Sequence, residues 1–262
     1  MNNHQTTTDN HLPELWFFIS GKPYQGKEPD FFETHSFNWV KFLEENYETI
    51  YNELKNYLKK NETTDYKPYF NSNLVNNKNS WETIPVMVWG IQYTRLKNFK
   101  TLKKLIQTFP EVVSLSFNKL NPGGKILPHQ GDTNGIYRAH LGLQITEKLP
   151  SVGFRVNSTK KSWENGKVFV FCDAFEHEAW NNSTTERIIL SIDVIRPEFI
   201  NKKRTICLTV LIFLALQFIA GKFPLLQKTP RFLIAPLFLL IILILKPISV
   251  FFSILKKLRL KI

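Results

Sequence analysis

Apolar residues recur at three- and four-residue steps through Val40, Leu43, Tyr47, Ile50, Leu54 and Leu58, with Glu and Lys between them. That period predicts a helix over 37–60, capped at Ser36, with one face laid against a sheet. Residues 61–80 are polar and Asn-rich and read as a loop; Trp81 to Tyr93 alternates weakly and reads as a strand. Phe99 to Thr108 reads as a second helix, ended near Pro110. From Val112 the texture changes. Val112 to Leu120 is strand-like and stops at the turn signal Asn121-Pro122-Gly123-Gly124. Further short strands are predicted at 125–128, 136–146, 152–157, 167–172 and 187–195, with a turn at Asn165-Gly166. This spacing predicts an antiparallel sandwich or small barrel, not a parallel βαβ sheet. Arg196-Pro197 closes the domain.

The tail is different. Residues 205–221 and 232–255 are apolar, interrupted by Lys246-Pro247 in the second, and basic clusters stand at 202–204 and 256–261. A helical span needs ~20 residues, which snorkelling Lys and Arg ends can help to reach. The pattern predicts that 201–262 is a membrane anchor, a transmembrane hairpin inserted in the lipid bilayer. The positive-inside rule places both its ends, and the body, on the cytoplasmic face. Body and tail thus divide as 13–200 and 201–262, after a polar N-terminus over 1–12 that reads as disordered and carries no signal-peptide pattern.

Charge follows the same division. The formal net charge of +12 invites a nucleic-acid partner, but residues 201–262 hold eleven Lys or Arg and no Asp or Glu. The rest of the chain is close to neutral, so no nucleic-acid partner is expected. Two cysteines, Cys172 and Cys207, are too few for a disulfide framework and point to a reducing compartment.

Candidate chemistry lies between Leu127 and Phe199. His129 and His177 stand near the ends of strand-like segments, and Arg187 opens the strand after the second. Two histidines and a carboxylate on one face of a metal describe a mononuclear iron site with open positions for co-substrate and O₂. The residue two after His129 is Gly131; Asp132, one further on, would ligate iron only if the chain turns at Gly131. Otherwise the site has His129 and His177 alone. A buried Arg187 could grip a carboxylate bidentately. Arg138 and His140 share a strand face and could add contacts, although taken singly they also suit a surface charge and a core histidine.

These residues sit in His129-Gln-Gly-Asp-Thr-Asn, Arg138-Ala-His140-Leu-Gly-Leu, Trp163-Glu-Asn-Gly-Lys, Phe175-Glu-His177-Glu-Ala-Trp and Arg187-Ile-Ile-Leu-Ser-Ile-Asp-Val. In order and over about 110–199, they resemble the aspartyl/asparaginyl β-hydroxylase family of Fe(II)/2-oxoglutarate dioxygenases, in a bacterial, membrane-anchored form. The resemblance implies a double-stranded β-helix (jelly-roll) fold and the use of Fe(II), O₂ and 2-oxoglutarate. It implies that His129 and His177 hold iron, and that Arg187, Arg138 and His140 bind 2-oxoglutarate. It gives Asn118 a contact with the same co-substrate and puts Trp89 beside the pocket. Gly131 matches the branch without a carboxylate ligand, which favours the two-histidine site over ligation by Asp132. The implied substrates are a peptidyl Asp or Asn or a lipid acyl chain at the inner membrane. A non-catalytic ligand-binding or scaffold protein of the same fold is the other reading.

Overall fold

The computed structural model describes residues 13–60 and 65–222. The helical period at 37–60 becomes two helices, α1 (Asn38–Glu45) and α2 (Tyr47–Lys60). They part at Asn46, whose Nδ2 donates to the Phe42 carbonyl at 2.8 Å, a local bond that competes with the helix ladder. The expected cap at Ser36 is not used: the N-cap position is Phe37, with no side-chain bond. α3 (Lys100–Thr108) forms where the second helix is predicted.

The strands are β1 (Phe31–Phe32), β2 (Lys67–Pro68), β3 (Trp81–Val88), β4 (Ile91–Gln92), β5 (Val112–Leu120), β6 (Gly124–His129), β7 (Ile136–Gln144), β8 (Val152–Val156), β9 (Thr159–Lys161), β10 (Val168–Phe171), β11 (His177–Asn181) and β12 (Arg187–Ile195). An eight-stranded sheet runs β1-β10-β7-β12-β5-β3-β2, with β4 paired to β3; a four-stranded sheet runs β6-β11-β8-β9. From β5 to β12 the chain passes back and forth between the two sheets, which is the double-stranded β-helix that the resemblance implies. The strand expected at 81–93 is instead a hairpin. Trp89 (φ 46°) and Gly90 (φ 87°) turn the chain, and Ile91–Gln92 pairs back on Met87 and Val88.

Period-two alternation divides β12 between two cores. Leu190 and Ile192 join the layer formed with Leu43, Ile50 and Leu105 of the helices. Ile189 faces the smaller sheet with Phe154, Phe169 and Phe171. The helices therefore cover one face of the large sheet, and the smaller sheet covers the other. The site lies in this second, inter-sheet layer.

The expected transmembrane hairpin needs correction. Residues 203–222 form a helix, α4 (Lys203–Lys222), but apolar residues of its first half have a partner within the protein. Ile206, Cys207 and Val210 are buried in a cluster with Trp89, Val113, Ile136, Ile195 and Phe199. Among the described residues no helix is long and apolar enough to cross a membrane. The membrane localisation with a cytoplasmic catalytic domain rested on that hairpin and falls with it. The second expected span, 232–255, lies outside the described residues, as does the segment 1–12.

Candidate active site

β6 and β11 are antiparallel neighbours in the small sheet, and their register places His129 opposite His177. Between the pairs Ile126↔Ala179 and His129↔His177, β6 carries one residue more than β11. This bulge takes in Leu127 and Pro128; Pro128 has no N–H for a ladder bond and suits such a position. The extra residue rotates His129 onto the inner face that Ile126 already occupies. The ring centroids of His129 and His177 lie 4.3 Å apart.

Each ring is set by a backbone carbonyl two residues before it: Nδ1 of His129 meets Leu127 O at 2.8 Å, and Nδ1 of His177 meets Phe175 O at 2.9 Å. A carbonyl only accepts, so both Nδ1 atoms carry the proton and both Nε2 atoms present a lone pair. Burial pushes both imidazoles below their usual pKa, and for His177 the neighbouring His129 adds to the effect. Two neutral imidazoles oriented by backbone carbonyls are a donor set that fits a divalent metal ion. Among the described residues no group of three His, Cys, Asp or Glu is arranged to hold one, so the two imidazoles are the candidate donors.

Gly131 opens room for a carboxylate from elsewhere in the chain. A Cβ there would lie 1.8 Å from Asp173 Oδ2. The Asp173 carboxylate, completely buried, fills the space a residue-131 side chain would take. It lies 3.7 Å from His177 Nε2 and accepts from Arg138 Nη1 at 2.6 Å and from the Asp132 N–H at 3.2 Å. Burial pushes Asp173 up to about 7, against the pull of Arg138. The chain does turn at Gly131, and the contact it makes with Asp173 is through the Asp132 backbone N–H. We expect Gly131→Ala to displace Asp173 and to cost on the order of 1–3 kcal/mol by overpacking. Urea unfolding would measure this, and an unchanged midpoint would show that Asp173 moves freely.

Arg138 and His140 share one face of β7, as their spacing predicts. Arg138 pairs across the ladder with Asp193 and His140 with Ser191. Arg138 Nε and Nη2 donate to the two Asp193 oxygens at 2.7 and 3.0 Å. Burial opposes its charge, but Asp173 and Asp193 more than offset that and hold it well above its ordinary pKa. Its charge is thus engaged by two carboxylates. His140 is packed among Phe154, Phe169, Phe171 and Trp163. Trp163 Nε1 donates to its Nδ1 at 3.4 Å, leaving Nε2–H as a donor. Burial, then Arg187, keeps this ring neutral.

Arg187 has no carboxylate partner among the described residues. It is 3% exposed, and its Nε and Nη1 are buried without a hydrogen-bond partner among the described residues. The guanidinium lies 4.4 Å over the Trp163 ring, a contact of roughly 0.5–2 kcal/mol. That does not replace a counter-ion, and burial pushes its pKa down to about 9. Arg187, His140, Arg138, His129 and His177 all line one cavity of about 70 Å³. This is several times the roughly 10–15 Å³ that a single water needs. Its apolar wall includes Trp81, Ile126, Phe154 and Ile189.

Asn118 also lines the cavity, but its amide is used within the large sheet. Nδ2 donates to Ser116 O and Oγ, both at 2.9 Å, and Oδ1 accepts from Trp81 Nε1 at 3.0 Å. Trp89 is not brought to this site: it is buried beside Val113, Phe199 and Ile206, and the tryptophans at the cavity are Trp81 and Trp163. Sequence reasoning assigned no role to Asp173 or Asp193. One signal was available, since a strand arginine facing inward must find a carboxylate, and both acids lie close to the motif residues His177 and Arg187.

A protein-family model described as Aspartyl/Asparaginyl beta-hydroxylase matches residues 44–197, more than half of the chain. The chain belongs to the aspartyl/asparaginyl β-hydroxylase family. Among relatives of this family member, the ornithine lipid ester-linked acyl 2-hydroxylase of Rhizobium tropici is 28% identical over 172 residues, covering 64% of this chain and 61% of that protein. The human aspartyl/asparaginyl beta-hydroxylase is 36% identical over 105 residues, covering 38% of this chain and 14% of that one. The chain therefore spans less than two thirds of either relative. A Pseudomonas putida prolyl-4-hydroxylase structure aligns with TM-score 0.39 and 14% identity over 57% of this chain and 87% of that one.

Proposed function

We propose that this family member is an Fe(II)- and 2-oxoglutarate-dependent dioxygenase that hydroxylates an unactivated C–H bond. The observation that carries this reading is the buried, unpartnered guanidinium of Arg187 in the same cavity as two neutral imidazoles with free Nε2 atoms. A buried cation without a counter-ion is costly, and an incoming carboxylate removes that cost. A keto acid with a second carboxylate satisfies both ends of the cavity: the chelating end at the metal and the distal end at Arg187.

His129 and His177 would hold the iron, with their tautomers set by the Leu127 and Phe175 carbonyls. Iron with 2-oxoglutarate and O₂ supplies the oxidising power, giving succinate, CO₂ and a hydroxylated product. Arg187 holds the distal carboxylate, and the His140 Nε2–H adds a neutral donor in the same cavity. Arg138 keeps the Asp173 carboxylate beside the metal-binding histidines, where a residue-131 side chain would otherwise stand. The wall of Trp163, Phe154 and Ile189 excludes water. The substrate class is a lipid acyl chain or a peptidyl Asp or Asn. The longer match to the lipid hydroxylase supports the acyl chain.

The test is succinate formation by the full chain, loaded anaerobically with Fe(II), given 2-oxoglutarate and then O₂. We expect release that requires iron and oxygen and is lost in His129→Ala. Release that survives this substitution would overturn the reading. Lipid profiles of cells with and without the protein then separate the substrates: one added oxygen on a lipid class identifies the acyl chain, and an unchanged profile identifies a peptide.

A further inference from the structure

We infer that residues 13–28 form a strap that positions the loop after His129 and the loop before His177, with Asn134 and Tyr24 as its positioning residues. This rests on the reading of His129 and His177 as a metal site.

The loop after His129 is held from outside its own strand. The Phe18 N–H donates to Asp132 O at 2.9 Å, and Phe17 bridges Thr133 in antiparallel fashion. Thr133 Oγ1 donates to Trp16 O at 2.6 Å. Asn134 has no exposed surface, and all its side-chain bonds go to the strap. Its Oδ1 accepts from Trp16 N at 2.7 Å, while Nδ2 donates to Glu14 O at 2.9 Å and Tyr24 Oη at 3.2 Å. The strap is tied to the end of β12 as well: Tyr24 Oη donates to Glu28 Oε1 at 2.6 Å, and Arg196 Nη1 donates to the same oxygen at 2.6 Å.

The same strap reaches the loop before His177. The Tyr24 ring packs on Phe175 with centroids 5.3 Å apart, and Phe175 supplies the carbonyl that orients His177. Between the two loops, Asp132 N and Gly131 N bond the Asp173 carboxylate and carbonyl. One segment, distant in sequence from both motifs, therefore presses both histidine supports into a single arrangement. A site with two protein donors has little redundancy, so its affinity depends on how well such outer contacts hold each ring.

Coupling of this kind is reciprocal: a strap that favours the metal-binding geometry must itself be held by bound metal. The experiment is a Co(II) titration of the full chain, followed by its visible absorption bands, on wild type, Asn134→Ala, Tyr24→Ala and Tyr24→Phe. Leu105→Ala serves as a control, since it destabilises the fold in α3, away from the site. We expect roughly 10- to 100-fold weaker Co(II) binding and altered bands in Asn134→Ala and Tyr24→Ala. Tyr24→Phe, which keeps the ring on Phe175, should recover part of the affinity, and Leu105→Ala should bind as wild type does.

Hydrogen exchange on wild type gives a reading that survives a variant that fails to fold. The Trp16 and Phe18 amides should gain protection when Co(II) is added. Normal Co(II) binding in the strap variants, equal loss in Leu105→Ala, or strap amides indifferent to Co(II) would each overturn the inference while leaving the metal site standing. A wild-type chain that binds no Co(II) would bring down both.

Discussion

Replacing Arg187 with Met should leave the ligand-free protein at least as stable as wild type while removing most of its response to 2-oxoglutarate. The two halves of this result share one cause. In the free protein the guanidinium is buried, its Nε and Nη1 have no hydrogen-bond partner among the described residues, and it lies over the Trp163 ring. An apolar side chain of similar length relieves that penalty, as replacing buried charges with apolar groups often does. With co-substrate present the balance reverses. Loss of one partner of a desolvated charge pair costs on the order of 2–5 kcal/mol, or roughly thirty- to several-thousand-fold in affinity. Urea unfolding with and without 2-oxoglutarate measures both effects. Wild type should gain about 2.7 kcal/mol at a hundredfold excess over Kd, and Arg187→Met should gain less than about 1 kcal/mol at the same concentration. Equal stabilisation of the two proteins would remove Arg187 from the anion site.

His177→Ala should eliminate turnover and weaken Fe(II) binding by more than the roughly 10- to 100-fold that loss of an outer contact costs. On the proposed reading His177 is one of two protein donors, and the carboxylate beside it, Asp173, is already bound by Arg138 and the Asp132 amide. Among the described residues no group of three His, Cys, Asp or Glu is arranged to take over the metal. Anaerobic calorimetry with Fe(II) gives the affinity, and succinate formation gives the turnover. An intact binding isotherm in the variant would assign the metal elsewhere.

Asp173 and Asp193 explain why the carboxylate question could not be answered from spacing. The glycine at 131 and the acid at 132 offered two alternatives, a site with His129 and His177 alone or a turn that lets Asp132 ligate iron. The fold is compatible with the two-histidine alternative, with a carboxylate held beside the histidines by Arg138. It leaves 131 without a side chain and fills the space with Asp173, from the loop after β10 on the far side of the sandwich. Arg138 reaches Asp173 because its register partner on β10 is Phe171, two residues earlier. Such a contact is set by strand pairing across the barrel, which local pattern does not encode.

What the sequence determined by itself is local and periodic. Period two put Arg138 beside His140 on β7, turn residues ended β5 at Asn121, apolar spacing made helices on one side, and ordered motifs marked His129, His177 and Arg187. The tertiary structure decided whatever depends on partners distant in the chain. The bulge at Leu127 and Pro128 turns His129 inward against β11. Asp173 stands in for a side chain at 131, and residues 13–28 brace both histidine loops. The start of α4 spends its apolar face on Trp89 and Phe199, where hydropathy predicted a lipid partner. The physical reason is common to all of these. Hydrophobic burial is non-directional, so an apolar or small residue states that it will be covered, and only the packed chain specifies what covers it.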